Sequence, residues 1–256
     1  MEINKKLIIG IDLSFNSTGI TITEFENTIG KSIGFYRLVF ETKPTPIINI
    51  NQITYNLPTN ISASDIVEDK SDFYSEDQAN ITIKAMICCK RIITIITKKL
   101  FSINKNPIDI YVNIEGFIMP SISGTQQFKS LSGLIMLQGM LRSELIKLKL
   151  TESCNIDIFK IFITSPTDLK LWFTGNGSAD KQIMLDNFNS VYDGKILLPD
   201  TTSLAKVNDV IDSFALNMLC LAKLYGTIKY KPKKVNVRKK KKLPIDIIKN
   251  SIPVID

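Results

Sequence analysis

A chain of 256 residues with 44% apolar and 22% charged side chains carries enough apolar material for a full core, which excludes a protein disordered throughout. Histidine is absent, so Ser-His and Cys-His nucleophiles, imidazole bases and histidine metal sites are excluded together. The formal charge of +7 is concentrated at one end: residues 1–226 hold 22 Lys+Arg against 23 Asp+Glu, whereas residues 227–256 hold 10 against 2.

The first residues, Met1 to Asp12, put Glu2, Lys5 and Lys6 ahead of a short apolar run, a pattern of neither a secretory signal nor a spanning helix. Four cysteines, with Cys88 and Cys89 adjacent and no Cys-x-x-Cys pair, form neither a disulfide framework nor a zinc spacing. The expectation is a soluble intracellular protein with no membrane partner, whose chemistry falls to carboxylates or lysines.

Lys6–Asp12 is too short for a buried helix and rich in β-branched residues, which predicts a buried strand ending on an acid. Thr18–Phe25 and Ser32–Phe40 follow as two more strands of an antiparallel meander, with Gly19 and Gly30 near the turns. Residues 41–77 contain Pro44, Pro46 and Pro58 and then an acidic cluster from Asp65 to Asp77, and read as an irregular insertion. A helix over Gln78–Phe101 places Ile81, Ala85, Cys88, Ile92 and Ile95 on one face. A strand Ile108–Glu115 follows Pro107, and a long helix over Thr125–Leu150 spaces Phe128, Leu131, Ile135, Leu141, Leu145 and Leu148 helically. Its Gly133 and Gly139 admit close approach of another backbone, that of a second subunit for instance. Asn155–Thr164 reads as a further strand. A helix starts at Pro166 and breaks at Thr174-Gly175-Asn176-Gly177, a short one begins near Ser178, and an apolar one runs from Leu204 to Tyr225 with Gly226 as its stop. The order β-β-β-α-β-α-β-α-α-α describes an α/β fold with a mixed five-stranded sheet flanked by helices.

Asp12 ends the first strand and Glu115 the fourth, while Asp209 and Asp212 lie three apart near the start of the last helix and share a face. Singly, each has a plainer reading as a turn former, a first solvated residue or a partner of the helix dipole. Held together at the rims of apolar elements, four acids need cations to neutralise them. Mg²⁺, with Mn²⁺ as substitute, suits oxygen donors. In a two-ion site, with ions roughly 3.5–4 Å apart, one ion activates water and the other stabilises the leaving 3′ oxygen of a scissile phosphate, with no need of histidine.

Gly10-Ile11-Asp12-Leu13-Ser14-Phe15-Asn16-Ser17-Thr18-Gly19 resembles the first-strand motif of RuvC-type Holliday-junction resolvases, of the RNase H-like superfamily, and Asp209-Val210-Ile211-Asp212-Ser213-Phe214-Ala215-Leu216 resembles their final-helix motif. The segment from Ser165-Pro166 through Lys170 and Thr174-Gly175-Asn176-Gly177-Ser178-Ala179-Asp180-Lys181 is similar to the family's Pro-x-x-x-Lys, Thr-Gly-x-Gly-x-Ala-x-Lys pattern in residues and spacing. The resemblance spans about Leu7–Gly226, and it is closest to the divergent resolvases of viruses and phages.

It implies an RNase H-like sheet of three antiparallel strands followed by parallel ones. It also implies a homodimer that nicks four-way DNA junctions symmetrically, with Asp12, Glu115, Asp209 and Asp212 as metal ligands and Lys170 and Lys181 on DNA phosphates. From the residues alone, the lysines flank a Gly-rich turn, Thr174-Gly175-Asn176-Gly177, whose amides beside a helix start suit an anion. The chain departs from the family in having Leu13-Ser14 where Pro-Gly usually follows the first Asp. The family's aromatic wedge stands three residues after the strand-four Glu, where this chain has Ile118; Phe117, one residue earlier, reads as a wedge that unstacks a junction base or as a core side chain.

The expected division is a nuclease domain over residues 1–226 with the insertion at 41–77, followed by a basic flexible tail over 227–256. Nine basic residues between Lys229 and Lys242 suit either sequence-blind phosphate neutralisation or a localisation signal. Two rival functions share these features. One is a general branched-DNA or flap nuclease. The other is an actin-like or sugar-kinase ATP-binding protein, whose first phosphate loop resembles Gly10–Gly19, although the second Gly-rich loop it needs is missing from the sequence.

Overall fold

A computed structural model describes residues 5–26, 29–40, 49–56, 76–103, 107–117, 125–151, 155–192 and 207–225. The acidic cluster between Asp65 and Asp72, and the basic tail over 227–256, lie outside these residues. The elements run β1 (Lys5–Asp12), β2 (Ser17–Glu26), β3 (Ile29–Phe40), β4 (Asn51–Tyr55), α1 (Glu76–Ile103), β5 (Ile108–Glu115), α2 (Thr125–Leu150), β6 (Ile156–Thr164), α3 (Pro166–Thr174), α4 (Lys181–Tyr192) and α5 (Asn208–Leu224).

One mixed sheet has the order β4-β3-β2-β1-β5-β6. The meander β1–β2–β3 pairs antiparallel, and β5 and β6 continue parallel to β1. This is the mixed α/β arrangement expected, three antiparallel strands followed by parallel ones, with one strand more. The sixth, β4, pairs in parallel with β3 from Tyr36↔Asn51 to Phe40↔Tyr55 and falls inside the segment read as irregular. At five residues, beside three prolines, it was too short to register as a period. Its Tyr55 hydroxyl donates to the Phe15 carbonyl oxygen at 2.9 Å and so ties the edge strand to the loop that follows Asp12.

Strand parity sorts the side chains into two layers. Leu7, Ile9 and Ile11 of β1 and Ile110, Val112 and Ile114 of β5 face α1 and α2. Ile8 of β1 and Tyr111 of β5 face the other way, onto α3, α4 and α5. Of the predicted α1 face, Ala85, Cys88, Ile92 and Ile95 are buried and Ile81 is half-buried. On α2 the buried residues are Leu137, Leu141, Leu145 and Leu148, whereas Ile135, expected on that face, is 42% exposed. Gly133 meets the ring of Phe15, where an added Cβ would sit 3.0 Å away, so a side chain of the same chain fills the space expected for another backbone; at Gly139 that space is open. Phe128 carries a side chain outside the described set. Among the described residues no helix is long and apolar enough to cross a membrane.

The last helix presses against the sheet. A Cβ on Gly10 would stand 2.0 Å from the Ser213 carbonyl oxygen, and one on Gly19 would stand 1.9 Å from that of Asp209. Only glycine allows the helix backbone this close. Polar side chains stitch the contact: Thr21 Oγ1 lies 2.8 Å from Ser213 Oγ, and Asn217 Nδ2 donates to the carbonyls of Ile8 at 2.7 Å and Thr21 at 3.0 Å. Asn113 Nδ2 donates to Leu216 O at 2.9 Å, so β5 is fastened to the same helix as β1 and β2. Phe214 of α5 gathers Phe188, Tyr192, Phe35 of β3 and Phe173 at ring-centroid distances of 4.8, 5.7, 6.1 and 6.2 Å. That aromatic cluster docks α3 and α4 onto α5, with edge-to-face pairs among its contacts.

Replacing Gly19 or Gly10 by alanine is expected to force α5 off the sheet at a cost of about 3 kcal/mol or more. That corresponds to a fall in Tm of roughly 6–12 °C for a domain of this size. Thermal melting of the two variants checks this, and a Tm within about 2 °C of wild type would contradict the close packing.

Candidate active site

Parity and register together determine which charged side chains meet. Ile8, Gly10 and Asp12 alternate on the α5 side of β1, and Tyr111, Asn113 and Glu115 do so on β5. Since Ile11 pairs with Ile114, Asp12 and Glu115 stand side by side at the carboxyl ends of adjacent parallel strands, the usual site of chemistry in open α/β sheets. Asp12 also pairs with Gly19, the residue on which the Asp209 backbone rests. The glycine contact therefore lowers the start of α5 directly beside Asp12, and Asp209 and Asp212 arrive on the same helical face.

The electrostatics follow from this proximity. Asp12 is raised well above the ordinary aspartate range, first by burial and then by the charges of Glu115 and Asp212; its side chain is hydrogen-bonded to that of Glu115. Glu115 is raised by burial, with the Asp12 hydrogen bond and the Lys170 charge opposing. Asp212 is pushed up to about 7, by burial first and then by Glu115, against the pull of Lys170 and Lys181. Such mutual elevation arises when carboxylates crowd one another in a desolvated corner.

Asp209 differs from the other three. It is 6% exposed, and its Oδ2 accepts from Arg37 Nε at 3.0 Å and from the Ser17 hydroxyl. Its Oδ1 accepts from its neighbour's amide, Val210 N, at 3.1 Å. Burial raises its pKa, and the Arg37 charge and these hydrogen bonds hold it down. Arg37 carried no motif. The signal available was its parity, because Ile33, Phe35 and Arg37 alternate on one face of β3 and an arginine in a buried row requires a partner.

Among the described residues no three Asp, Glu, Cys or His side chains already stand as a cage around a cation. Asp12 and Glu115 instead meet each other through a hydrogen bond. The donor set itself fits a hard divalent ion: the groups are all carboxylate oxygens, partly desolvated, and repel one another for want of positive charge.

The motif segment takes a definite shape. Ser165 caps α3 by accepting from Asp168 N at 3.1 Å, Pro166 occupies its first turn, and Gly175 closes it at φ 77°, a left-handed conformation suited to glycine. The next helix begins at Lys181 rather than Ser178, and Asp180 Oδ1 takes the Ile183 amide at 2.9 Å. Amides of the turn are occupied internally: Gly175 N reaches Leu171 O, Asn176 N reaches Thr174 Oγ1, and Ser178 N reaches Asn176 Oδ1. The turn Thr174-Gly175-Asn176-Gly177 is thus a bracket that sets two helices, and the amides of Gly175, Asn176 and Ser178 are not free for an anion. What it aims at the acids is charge, since Lys170 on α3 acts on Glu115 and Asp212 and Lys181 on α4 acts on Asp212. Phe117 lies half-buried two residues beyond β5, next to Gly116, whose amide donates to Thr164 O at 2.7 Å.

No protein-family model matches the chain, and no curated protein matches it. Among solved structures it is similar to T. thermophilus RuvC in complex with a Holliday junction substrate, with 11% identity and a TM-score of 0.42 over 87% of this chain and 96% of that one. A second Thermus thermophilus RuvC structure has 11% identity and a TM-score of 0.36 over 86% and 96% of the two chains. The yeast mitochondrial Holliday junction resolvase Ydc2 has 14% identity and a TM-score of 0.42 over 87% of this chain and 81% of its own. At these identities and TM-scores the likeness is too distant to transfer the role of any residue.

Proposed function

We propose that this chain is a divalent-cation-dependent endonuclease of the RuvC type that cuts branched DNA, four-way junctions foremost, as a homodimer making paired nicks. The observation that carries the reading is the meeting of Asp12, Glu115 and Asp212, from three separate elements, in one desolvated corner flanked by Lys170 and Lys181. The match of Pro166–Lys181 to the family pattern supports the choice of junction DNA, and residues 1–226 are the proposed nuclease unit, with the basic residues of 227–256 as an added phosphate-binding tail.

The division of labour follows from placement. Lys170 and Lys181 draw a phosphodiester toward the acids, because their charges are the positive ones already felt by Asp212 and, for Lys170, by Glu115. Asp12, Glu115 and Asp212 would hold the cation, and Asp209 stays with Arg37 and Ser17. When bound, a divalent ion there supplies Lewis-acid activation of water and charge stabilisation of the leaving 3′ oxygen. α5 keeps the carboxylates in register with the strand ends, and the bracket from Thr174 to Gly177 keeps the lysines at their height.

Asp12→Asn is expected to bind a synthetic four-way junction as wild type does and to cut it at least about a hundredfold more slowly. Strand-mapped cleavage with Mg²⁺ checks this; undiminished cutting by the variant would remove Asp12 from the site. Equal cutting of flaps, three-way and four-way junctions would turn the reading into a general branched-DNA nuclease.

A second outcome concerns stability. These carboxyls have pKa values raised in the folded chain, so the folded state keeps protons that the unfolded state releases, and stability falls as pH rises from the ordinary carboxylate range through about 7. In a chelator, Tm is expected to drop between about pH 5 and about pH 8, and Mg²⁺ is expected to restore most of the loss. Differential scanning fluorimetry across that range measures it, and a Tm flat in pH and indifferent to Mg²⁺ would speak against the crowded acids.

A further inference from the structure

Arg37 reaches the acidic corner from β3, three strands from β5 in the sheet, and no site motif includes it. It is 8% exposed, and its partner Asp209 is 6% exposed. Side-chain exposures of 9% and 8% leave their 3.0 Å ion pair out of bulk solvent, where screening is weak. Asp209 is satisfied on both oxygens: Oδ2 accepts from Arg37 and Ser17, and Oδ1 accepts from Val210 N. Asp12, Glu115 and Asp212 have no such cationic partner at bonding distance among the described residues; Asp12 is hydrogen-bonded to Glu115, and Asp212 lies close enough to feel the Glu115 charge. The four acids therefore fall into three that lack a countercharge in contact and one that already has it.

We propose that Arg37 is a positioning residue which serves as the site's fixed cation: it holds Asp209 out of the ligand set, so that the DNA-free protein binds a single divalent ion on Asp12, Glu115 and Asp212. This rests on the carboxylate-site reading given above. A guanidinium that buried touches no substrate and acts through Asp209. Ser17 contributes from the start of β2, immediately after the Asp12 loop, so the pair also ties β2, β3 and α5 together at the level of the site. A cation at Asp209 would have to displace two protein donors from Oδ2, whereas one among the other three relieves repulsion without breaking an ion pair.

Equilibrium dialysis of the full-length, DNA-free protein against Mn²⁺ counts ions per chain with no turnover involved. Wild type is expected to bind one ion. Asp209→Asn is expected to keep that ion with affinity within roughly threefold, while Asp12→Asn and Asp212→Asn each weaken it at least about tenfold. Arg37→Gln, which leaves Asp209 without its countercharge, is expected to take up a second ion, and Arg37→Lys is expected to keep the count at one. Because Arg37→Gln strands a buried carboxylate and is at risk of unfolding, the neutral pair Arg37→Gln/Asp209→Asn provides a companion, expected to bind one ion as wild type does. A wild-type count of two, or an Asp209→Asn loss as large as that of Asp212→Asn, overturns the proposal. So does a folded Arg37→Gln protein that still binds one ion, or a companion that binds none. Mn²⁺ binding unchanged by both Asp12→Asn and Asp212→Asn defeats the underlying carboxylate site instead, and the two failures are thereby distinguished.

Discussion

The contact on which the rest depends is the approach of α5 to the β1–β2 hairpin across two missing side chains. At Gly10 and Gly19 the helix backbone occupies the volume a Cβ would need. The β1–β5 register sets Asp12 beside Glu115, and this contact brings the acids of α5 to them. Asp12 is placed by its strand, and Asp209 and Asp212 are placed by their helix. The distance between strand and helix is determined where Gly19, the register partner of Asp12, lets the Asp209 carbonyl oxygen lie in the space a Cβ would fill. Along the rest of the helix the same closeness puts helix and strand polar groups within hydrogen-bonding range, and Thr21, Thr23, Asn113 and Asn217 supply it. A buried amide such as Asn217 is costly unless satisfied, and here it donates to two strand carbonyls and accepts from Thr23 Oγ1 at 2.9 Å. Specific helix placement comes from these bonds, since apolar packing alone tolerates sliding by a turn.

Much of this was legible in the sequence because it is written in periods. The run Lys-Leu-Ile-Ile-Gly-Ile-Asp has one reading as a buried strand, and its final acid falls on the face opposite Ile9 and Ile11 by parity alone. The Asp-x-x-Asp spacing fixes a shared helical face wherever the helix lies. The capping serine, the first-turn proline and the left-handed glycine of α3 are local chemistry, readable before any fold is known. The elements that escaped are those stabilised from a distance. β4 has five residues and exists because β3 offers an edge; no window of its own sequence identifies it. Ile135 fits a helical stripe, yet the register of α2 against α1 and the sheet leaves it in solvent while Leu137 and Leu141 turn inward. Arg37 lies in an unremarkable strand, and only the arrival of a helix 172 residues later explains it.

In the Thr174–Gly177 turn, amides that the sequence offers to an anion are taken by the chain itself. A glycine-rich turn beside a helix start suggests amides waiting for a phosphate. Here the side chains of Thr174 and Asn176 consume amides of the turn themselves, and Asp180 supplies a negative cap where an anion would otherwise bind. What remains of the phosphate argument belongs to the lysines. Lys170 is carried by a helix whose Trp172 and Phe173 are buried in the aromatic core, and Lys181 opens a helix whose Met184 and Phe188 are buried there too. Both ammonium groups are consequently carried on rigid supports, a better arrangement for orienting a substrate than a flexible loop would be.

A corner that gathers acids against their own repulsion opposes the stability of the chain that builds it. Desolvation is the first cause of elevation at Asp12, Glu115 and Asp212, so the cost is incurred on folding, before any substrate arrives. Lys170 and Lys181 offset part of that cost, and the rest is met by contacts insensitive to charge, the hydrogen bonds of α5 to three strands and the ring cluster around Phe214. Had each acid been paired as Asp209 is with Arg37, the corner would be stable and inert, since a carboxylate with a permanent cation has no affinity left for a mobile one. Leaving three acids without such a partner and one paired keeps negative potential at the strand ends, as the proposed divalent-ion site requires, and gives the helix start a fixed anchor. The asymmetry between Asp209 and its three neighbours is therefore part of how the site is built.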